Sequence, residues 1–395
     1  MPWPPVTAKT VGMIANQAIP LALYIHIPWC LRKCPYCDFN SHQAEGDAIP
    51  EQQYLTALLK DLEQLLPRVW GRRISTIFFG GGTPSLLSPT TVSNLLSAIR
   101  ARMPCVPALE VTLEANPGSL EIEKFQHFRD AGITRLSVGV QSFTDVSLQR
   151  LGRIHDAEQA HRAIQSVKAC QFESYNIDLM FGLPGQSISD AQNDLEIALS
   201  YQPPHLSLYQ LTIEANTPFM YSKPDNLPDQ DTLADMQDVL AVRAADAGLE
   251  RYEVSAYAAE RMQCRHNVNY WEFGDYLGIG AGAHSKITDQ AGAARFSRPR
   301  LPKQYIETAG TIDAFVGERN LAQDDLVLEY MINALRLRKG FTLKQFSLHT
   351  GLSKDVLSSG IDEAVKKGLL VKYDDTISAT DKGFGFLSDI QLMFS

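Results

Sequence analysis

The first half of this chain alternates short apolar strands with amphipathic helices, and few folds accommodate that order. Residues 21–27 (LALYIHI) are short, apolar and partly β-branched, the pattern of a buried strand. The pattern returns at 74–79 (ISTIFF), 109–117 (LEVTLEANP), 134–142 (TRLSVGVQS), 175–185 (YNIDLMFGLPG) and 205–212 (HLSLYQLT). Helical stretches lie between. Residues 50–66 carry Leu55, Leu58, Leu59, Leu62, Leu65 and Leu66 at helical spacing behind a proline. Others follow Ser88-Pro89, start near Ser119, run up to 170 and span 187–200. Alternating βα units predict an α/β chain with a parallel sheet and right-handed crossovers. The six strands suit a partial (β/α)6 barrel; an open doubly wound sheet has the same periodicity. In both, ligands sit at the carboxyl ends of the strands.

The chemistry-bearing motifs fall on that rim. Cys30, Cys34 and Cys37 follow the first strand, GGGTP the second, Glu114 ends the third and Gln141 the fourth. The C-x3-C-x2-C spacing lets three thiolates face one metal centre. An iron–sulfur cube usually takes four cysteines. With three, one iron keeps an open site for a small chelating ligand. Zinc is the rival reading, with His26 or His42 as a fourth ligand. The scattered Cys105, Cys170 and Cys264 read as buried small apolar residues. This usage is unlike a disulfide framework and fits a reducing, cytoplasmic setting.

At 395 residues the chain exceeds one small domain. The expected organisation is an N-terminal tail over 1–20, the barrel and its extension over 21–290, a connector over 291–320 and a C-terminal domain over 321–395. Beyond 213 the sequence predicts a helix at 229–248 and a glycine-rich strand-like stretch at 276–285. Helices at 324–338, 342–349 and 353–367 precede a hairpin (LLVKYDDTISAT), a winged-helix-like α+β order. Residues 320–395 hold nine Lys/Arg against ten Asp/Glu, and the whole chain has net charge −9. Nucleic-acid binding needs a basic face, so none is expected. No run of about 18 apolar residues predicts a membrane span. The first 20 residues lack the basic start and cleavage site of a signal peptide.

The segment CLRKCPYC resembles the motif of the radical S-adenosylmethionine (SAM) superfamily, and GGGTP, LEANPGS, LSVGVQSF and IDLMFGLPGQ follow in that family's order. The resemblance covers most of the chain. It points to the branch that holds oxygen-independent coproporphyrinogen III oxidase and the HemW haem chaperones, whose C-terminal domain the last part also resembles. It implies a [4Fe–4S] cluster on Cys30, Cys34 and Cys37, with SAM chelating the free iron. In that family the reduced cluster cleaves SAM to a 5′-deoxyadenosyl radical. By position, Tyr24 and Tyr36 would flank the cluster and SAM. Gly81, Gly82 and Thr83 would approach the methionine part, glycines letting backbone N–H groups near a charged ligand. Glu114, Gln141, Arg153 and Asp178 match SAM-binding positions, and Thr212 a weaker contact. A carboxylate can hold ribose hydroxyls, and an arginine can pair with the SAM carboxylate. His284, after GIGAG, lies near the SAM site of relatives with its role open.

Two details divide the branch. The decarboxylating oxidases resemble CxxxCxxCxC, whereas here Phe39 stands at the further cysteine's place. They also carry an N-terminal extension, whereas here the first strand starts near residue 21. HNVNYW at 266–271 resembles the HNxxYW motif of the haem chaperones. It implies haem contact through His266, since imidazole is a common axial ligand, beside the flat rings of Tyr270 and Trp271. The alternative for His266 is an imidazole satisfied in a packed corner. The implied function is a haem chaperone that passes haem, or another tetrapyrrole, to respiratory acceptor proteins. The rival is the oxidase, decarboxylating propionates. Acceptors in respiratory complexes would require peripheral membrane contact. The sequence sets no oligomeric state.

Overall fold

The computed structural model describes residues 19–44 and 49–394; residues 1–18 of the expected tail lie outside them. The six expected strands form as β1 (Leu21–Ile27), β2 (Ile74–Gly81), β3 (Cys105–Ala115), β4 (Arg135–Gln141), β5 (Ser174–Phe181) and β6 (His205–Gln210). Each pairs in parallel with the next. Apart from the first half of β3, their interiors are mostly buried, as strands covered on both faces must be. Helices α1 (Glu51–Leu65), α2 (Pro89–Arg102), α3 (Phe125–Asp130), α4 (Ala157–Cys170) and α5 (Ile188–Ser200) carry the crossovers. Ser88 caps α2, and capping boxes start α4 (Asp156 with Gln159) and α5 (Ser187 with Asp190).

The second half extends the same sheet. After α6 (Gln230–Asp246) come β7 (Glu250–Arg251), β8 (Ala256–Ala258), α7 (Arg265–Trp271), β9 (Asp275–Ile279), β10 (His284–Asp289), β11 (Gly292–Ser297), α8 (Pro302–Thr308) and β12 (Val316–Asn320). The order across the sheet is β12-β11-β10-β9-β1-β2-β3-β4-β5-β6-β8-β7. β9 adds to β1 in parallel, so seven parallel strands run from β9 to β6, flanked by antiparallel edges. The sheet is a partial barrel wall, open among the described residues.

Two expectations are corrected. The stretch at 276–285 is two strands, because Gly280 and Gly282 take positive φ and turn the chain between β9 and β10. The segment over 291–320 is no connector: β11 and β12 complete the sheet, and α8 packs on α1. β9 is fixed by a buried ionic network. Asp275 takes Arg72 Nη1 at 2.7 Å, Lys286 Nζ at 2.8 Å and the Thr288 N–H at 3.0 Å. Burial opposes the charged carboxyl, but Lys286 and Arg72 outweigh it and hold Asp275 below its ordinary range.

The C-terminal part folds as α9 (Gln323–Ala334), β13 (Phe341–Thr342), α10 (Leu343–Thr350), α11 (Ser358–Lys366), β14 (Leu370–Tyr373) and β15 (Thr376–Ala379). The three short strands make an antiparallel wing in the order β13-β15-β14. Its core centres on Tyr330, Phe346 and Ile361, and Phe273, just before β9, and Ala293 of β11 join it. Among the described residues no helix is long and apolar enough to cross a membrane.

Candidate functional site

The loop after β1 is closed on itself. Trp29–Cys30 pairs with His42–Gln43, and the Ala44 N–H reaches the Cys30 carbonyl at 2.9 Å. Inside this loop Cys30, Cys34 and Cys37 are free, half-buried thiols that line one cavity of ≈ 520 Å³. Burial pushes the Cys30 and Cys37 thiols up, so metal binding there must release protons.

β2 holds the loop from beneath. The Gly82 N–H donates to the Ile27 carbonyl and the Thr83 N–H to the Trp29 carbonyl, both at 2.7 Å. The Gly81 N–H faces Glu114 Oε2 at 3.3 Å. These three N–H groups are engaged within the chain. The glycines also permit close packing. A Cβ on Gly81 would stand 2.5 Å from the His26 ring, and one on Gly82 2.5 Å from the Trp29 carbonyl oxygen.

Opposite the thiols, β3, β4 and β5 deliver polar groups. Glu114 is pushed up to about 8, by burial first and then by Asp178, against the Gly81 N–H and Arg135. Burial also raises Asp178, whose oxygens accept from Asn176 Nδ2 at 2.7 Å and Ser137 Oγ at 3.3 Å. Gln141 takes φ 70° where β4 slips register against β5, a conformation that costs energy in a non-glycine residue. Arg153 bridges the two sides: Nη1 lies 3.6 Å from Cys34 Sγ, and Nη2 meets Asn116 Oδ1 at 2.6 Å and the Gly139 carbonyl at 2.8 Å. Thr212 sits at the exposed rim, bonded to Glu214 Oε1 at 2.7 Å.

Twelve of the fourteen candidate residues therefore line the cysteine cavity: the three cysteines, Tyr36, Gly81, Gly82, Thr83, Glu114, Gln141, Arg153, Asp178 and Thr212. Tyr24 and His266 line neighbouring cavities. His266 is 1% exposed, with Nδ1 2.9 Å from Thr76 Oγ1 and Nε2 3.3 Å from Tyr270 Oη. It stacks on Phe78 at 4.9 Å, and burial lowers it to about 3. Both ring nitrogens are engaged within the chain, the arrangement that the packed-corner alternative describes. Cys264 is fully buried and pushed up to about 11, as a small core residue; Cys170 is buried, but Cys105 is only half-buried. Asn116, which joins Arg153 to Thr83 Oγ1 (3.1 Å), was missed; its place two residues beyond Glu114 on the strand-end rim was the available signal.

The donor set fits an iron–sulfur cluster with an open iron better than zinc. Among the described residues no three His, Cys, Asp or Glu side chains close on a single metal ion. His26 is bonded to Tyr24 Oη (3.0 Å) and the Asn40 carbonyl (2.8 Å), and His42 Nε2 to the Arg300 carbonyl (3.2 Å). Neither offers the fourth ligand that a structural zinc site needs.

The Radical SAM superfamily model matches residues 24–198, and the HemN C-terminal domain model matches 321–386. The heme chaperone HemW of Haemophilus influenzae is 44% identical over 380 residues, 95% of this chain and 98% of that one. The chain belongs to the HemW family. The Escherichia coli HemW is 44% identical over 376 residues, and the Bacillus subtilis HemW 33% over 366. The structure of E. coli coproporphyrinogen III oxidase (HemN), a radical SAM enzyme, matches with TM-score 0.81 at 23% identity. That match covers 98% of this chain and 93% of HemN, and at this identity it speaks for the fold. This chain and HemN thus share one frame.

Proposed function

We propose that this chain is a haem chaperone that holds a [4Fe–4S] cluster and SAM, binds haem, and passes it to acceptor haem proteins. The observation that carries the reading is the 44% identity to proteins named heme chaperone over 95% of the chain. Cys30, Cys34 and Cys37 would hold the cluster. Tyr36, Gly81, Gly82, Thr83, Glu114, Gln141, Arg153, Asp178 and Thr212 surround the space for SAM. When bound, the reduced cluster supplies an electron for SAM cleavage. The chain's own part is to fix the thiols from β2, place Arg153 beside Cys34, and hold Glu114 toward its protonated form. A cytoplasmic setting fits the free thiols, and acceptors in respiratory complexes would bring the chain to a membrane surface.

The second reading is oxygen-independent coproporphyrinogen III oxidase, favoured by the fold shared with HemN. Phe39 argues against it, standing where the oxidases have a further cysteine. Anaerobic incubation with coproporphyrinogen III, SAM and reductant, beside a haem titration, separates the two. The chaperone reading predicts saturable haem binding and no decarboxylated product; decarboxylation at a steady rate overturns it. The purified chain should hold about four irons, and replacing all three cysteines by alanine should remove them.

A further inference from the structure

Beside the cysteine cavity lies a larger one of ≈ 870 Å³, and the two share Phe39, Gly81 and Glu114 as a common wall. Its volume lies within the range of about 300–1,000 Å³ that holds small-molecule ligands. Tyr24, Tyr270, Tyr276 and the exposed Phe39 give it flat aromatic sides, which suit a macrocycle.

Most polar groups on these walls are engaged within the chain. Tyr24 Oη bonds His26 Nδ1 at 3.0 Å, and the other His26 nitrogen meets the Asn40 carbonyl at 2.8 Å. Tyr276 Oη accepts from Arg295 Nη1 at 2.7 Å, and Tyr270 Oη faces His266 Nε2 at 3.3 Å. Arg298 is buried against Asp61 at 2.5 Å. Two groups differ. His284, the first residue of β10, is exposed, and no hydrogen bond to its ring is seen among the described residues. Arg300 is exposed, and its guanidinium pairs with no carboxylate among the described residues.

We propose that this cavity is the haem site, with His284 giving the axial imidazole to the iron and Arg300 facing the propionates. The inference rests on the haem-chaperone reading and names its site. Partial desolvation at the cavity wall, with Arg295 and Arg300 nearby, holds His284 below its ordinary range, so the ring is neutral and its lone pair available at neutral pH. An Arg fork suits a carboxylate. The placement also assigns Phe39 an apolar wall between haem and cluster. His266 then acts as a positioning residue: it holds Tyr270 and, through Phe78, backs Tyr24.

The test is an anaerobic titration of the full, cluster-loaded chain with ferric haem. His284→Ala should shift the Soret band and weaken binding on the order of tenfold or more, and added imidazole should restore the wild-type spectrum. Arg300→Gln should weaken binding with the band unmoved. His266→Gln should also leave the band in place, because Tyr270 and not His266 meets the ligand. A His284→Ala chain with wild-type band and affinity overturns the proposal and leaves the chaperone reading standing. Loss of haem that imidazole does not restore also overturns the ligand role. A wild-type chain with no saturable binding overturns both.

Discussion

A methyl group on Gly82 would stand 2.5 Å from the Trp29 carbonyl oxygen and 3.1 Å from Cys30 Sγ. Both belong to the loop that presents the thiols, and neither can give way without moving a cysteine. Gly82→Ala should therefore cost about 1–3 kcal/mol by overpacking. It should also lower the iron per chain well below wild type while far-ultraviolet dichroism stays unchanged. Full iron content in that variant would contradict the packing argument. The three cysteines were legible because their spacing is local. The role of the glycines was legible only in part: the residue type signals close approach, but not to what. His266 shows the limit most clearly. Its motif was visible, yet its ring nitrogens are engaged by Tyr270 and by Thr76, 190 residues away in the sequence. Spacing along α7 cannot report that partner. His284 is the converse, a single histidine whose exposure emerges only when β10 turns back beside β9.

Among the elements, the six βα strands were readable because burial on both faces leaves an apolar run. β9 and β12 were not. β9 hides in a glycine-rich stretch that continues into the turn. β12 is exposed throughout, so it lacks the apolar pattern of a sheet strand. What fixes β9 is Asp275, whose side chain is 0% exposed and ion-paired to Arg72 and Lys286. Removing one partner of a buried ion network costs about 3–5 kcal/mol, because the remaining charges lose their counterpart. Asp275→Asn should lower urea stability by that order. It should loosen the C-terminal part as well, since Phe273, two residues before β9, packs in that core. A change under about 1 kcal/mol would mean that the network is no staple.

Over the whole molecule, burial sets the response to acid. His26 is held at about 4, and His155 and His266 at about 3, against an ordinary 6.5, burial being the first cause for each. Each stays neutral when folded and takes a proton once unfolded below 6.5. The unfolded chain then binds more protons, so stability falls with pH, by up to about 1.4 kcal/mol per pH unit for each histidine. Urea midpoints should be lower at pH 5 than at pH 7.5, and equal midpoints would contradict the burial. At the same scale stands the proposal that a radical SAM frame in the HemW family serves haem handling here, with two adjoining cavities under one rim. Transfer of haem from the loaded chain to an apo-haem protein, followed by the acceptor's Soret spectrum, tests it most directly. The account predicts that the acceptor's spectrum grows on mixing as the chain's own haem band declines. A chain that takes up no haem, or keeps what it takes when the acceptor is present, would contradict it.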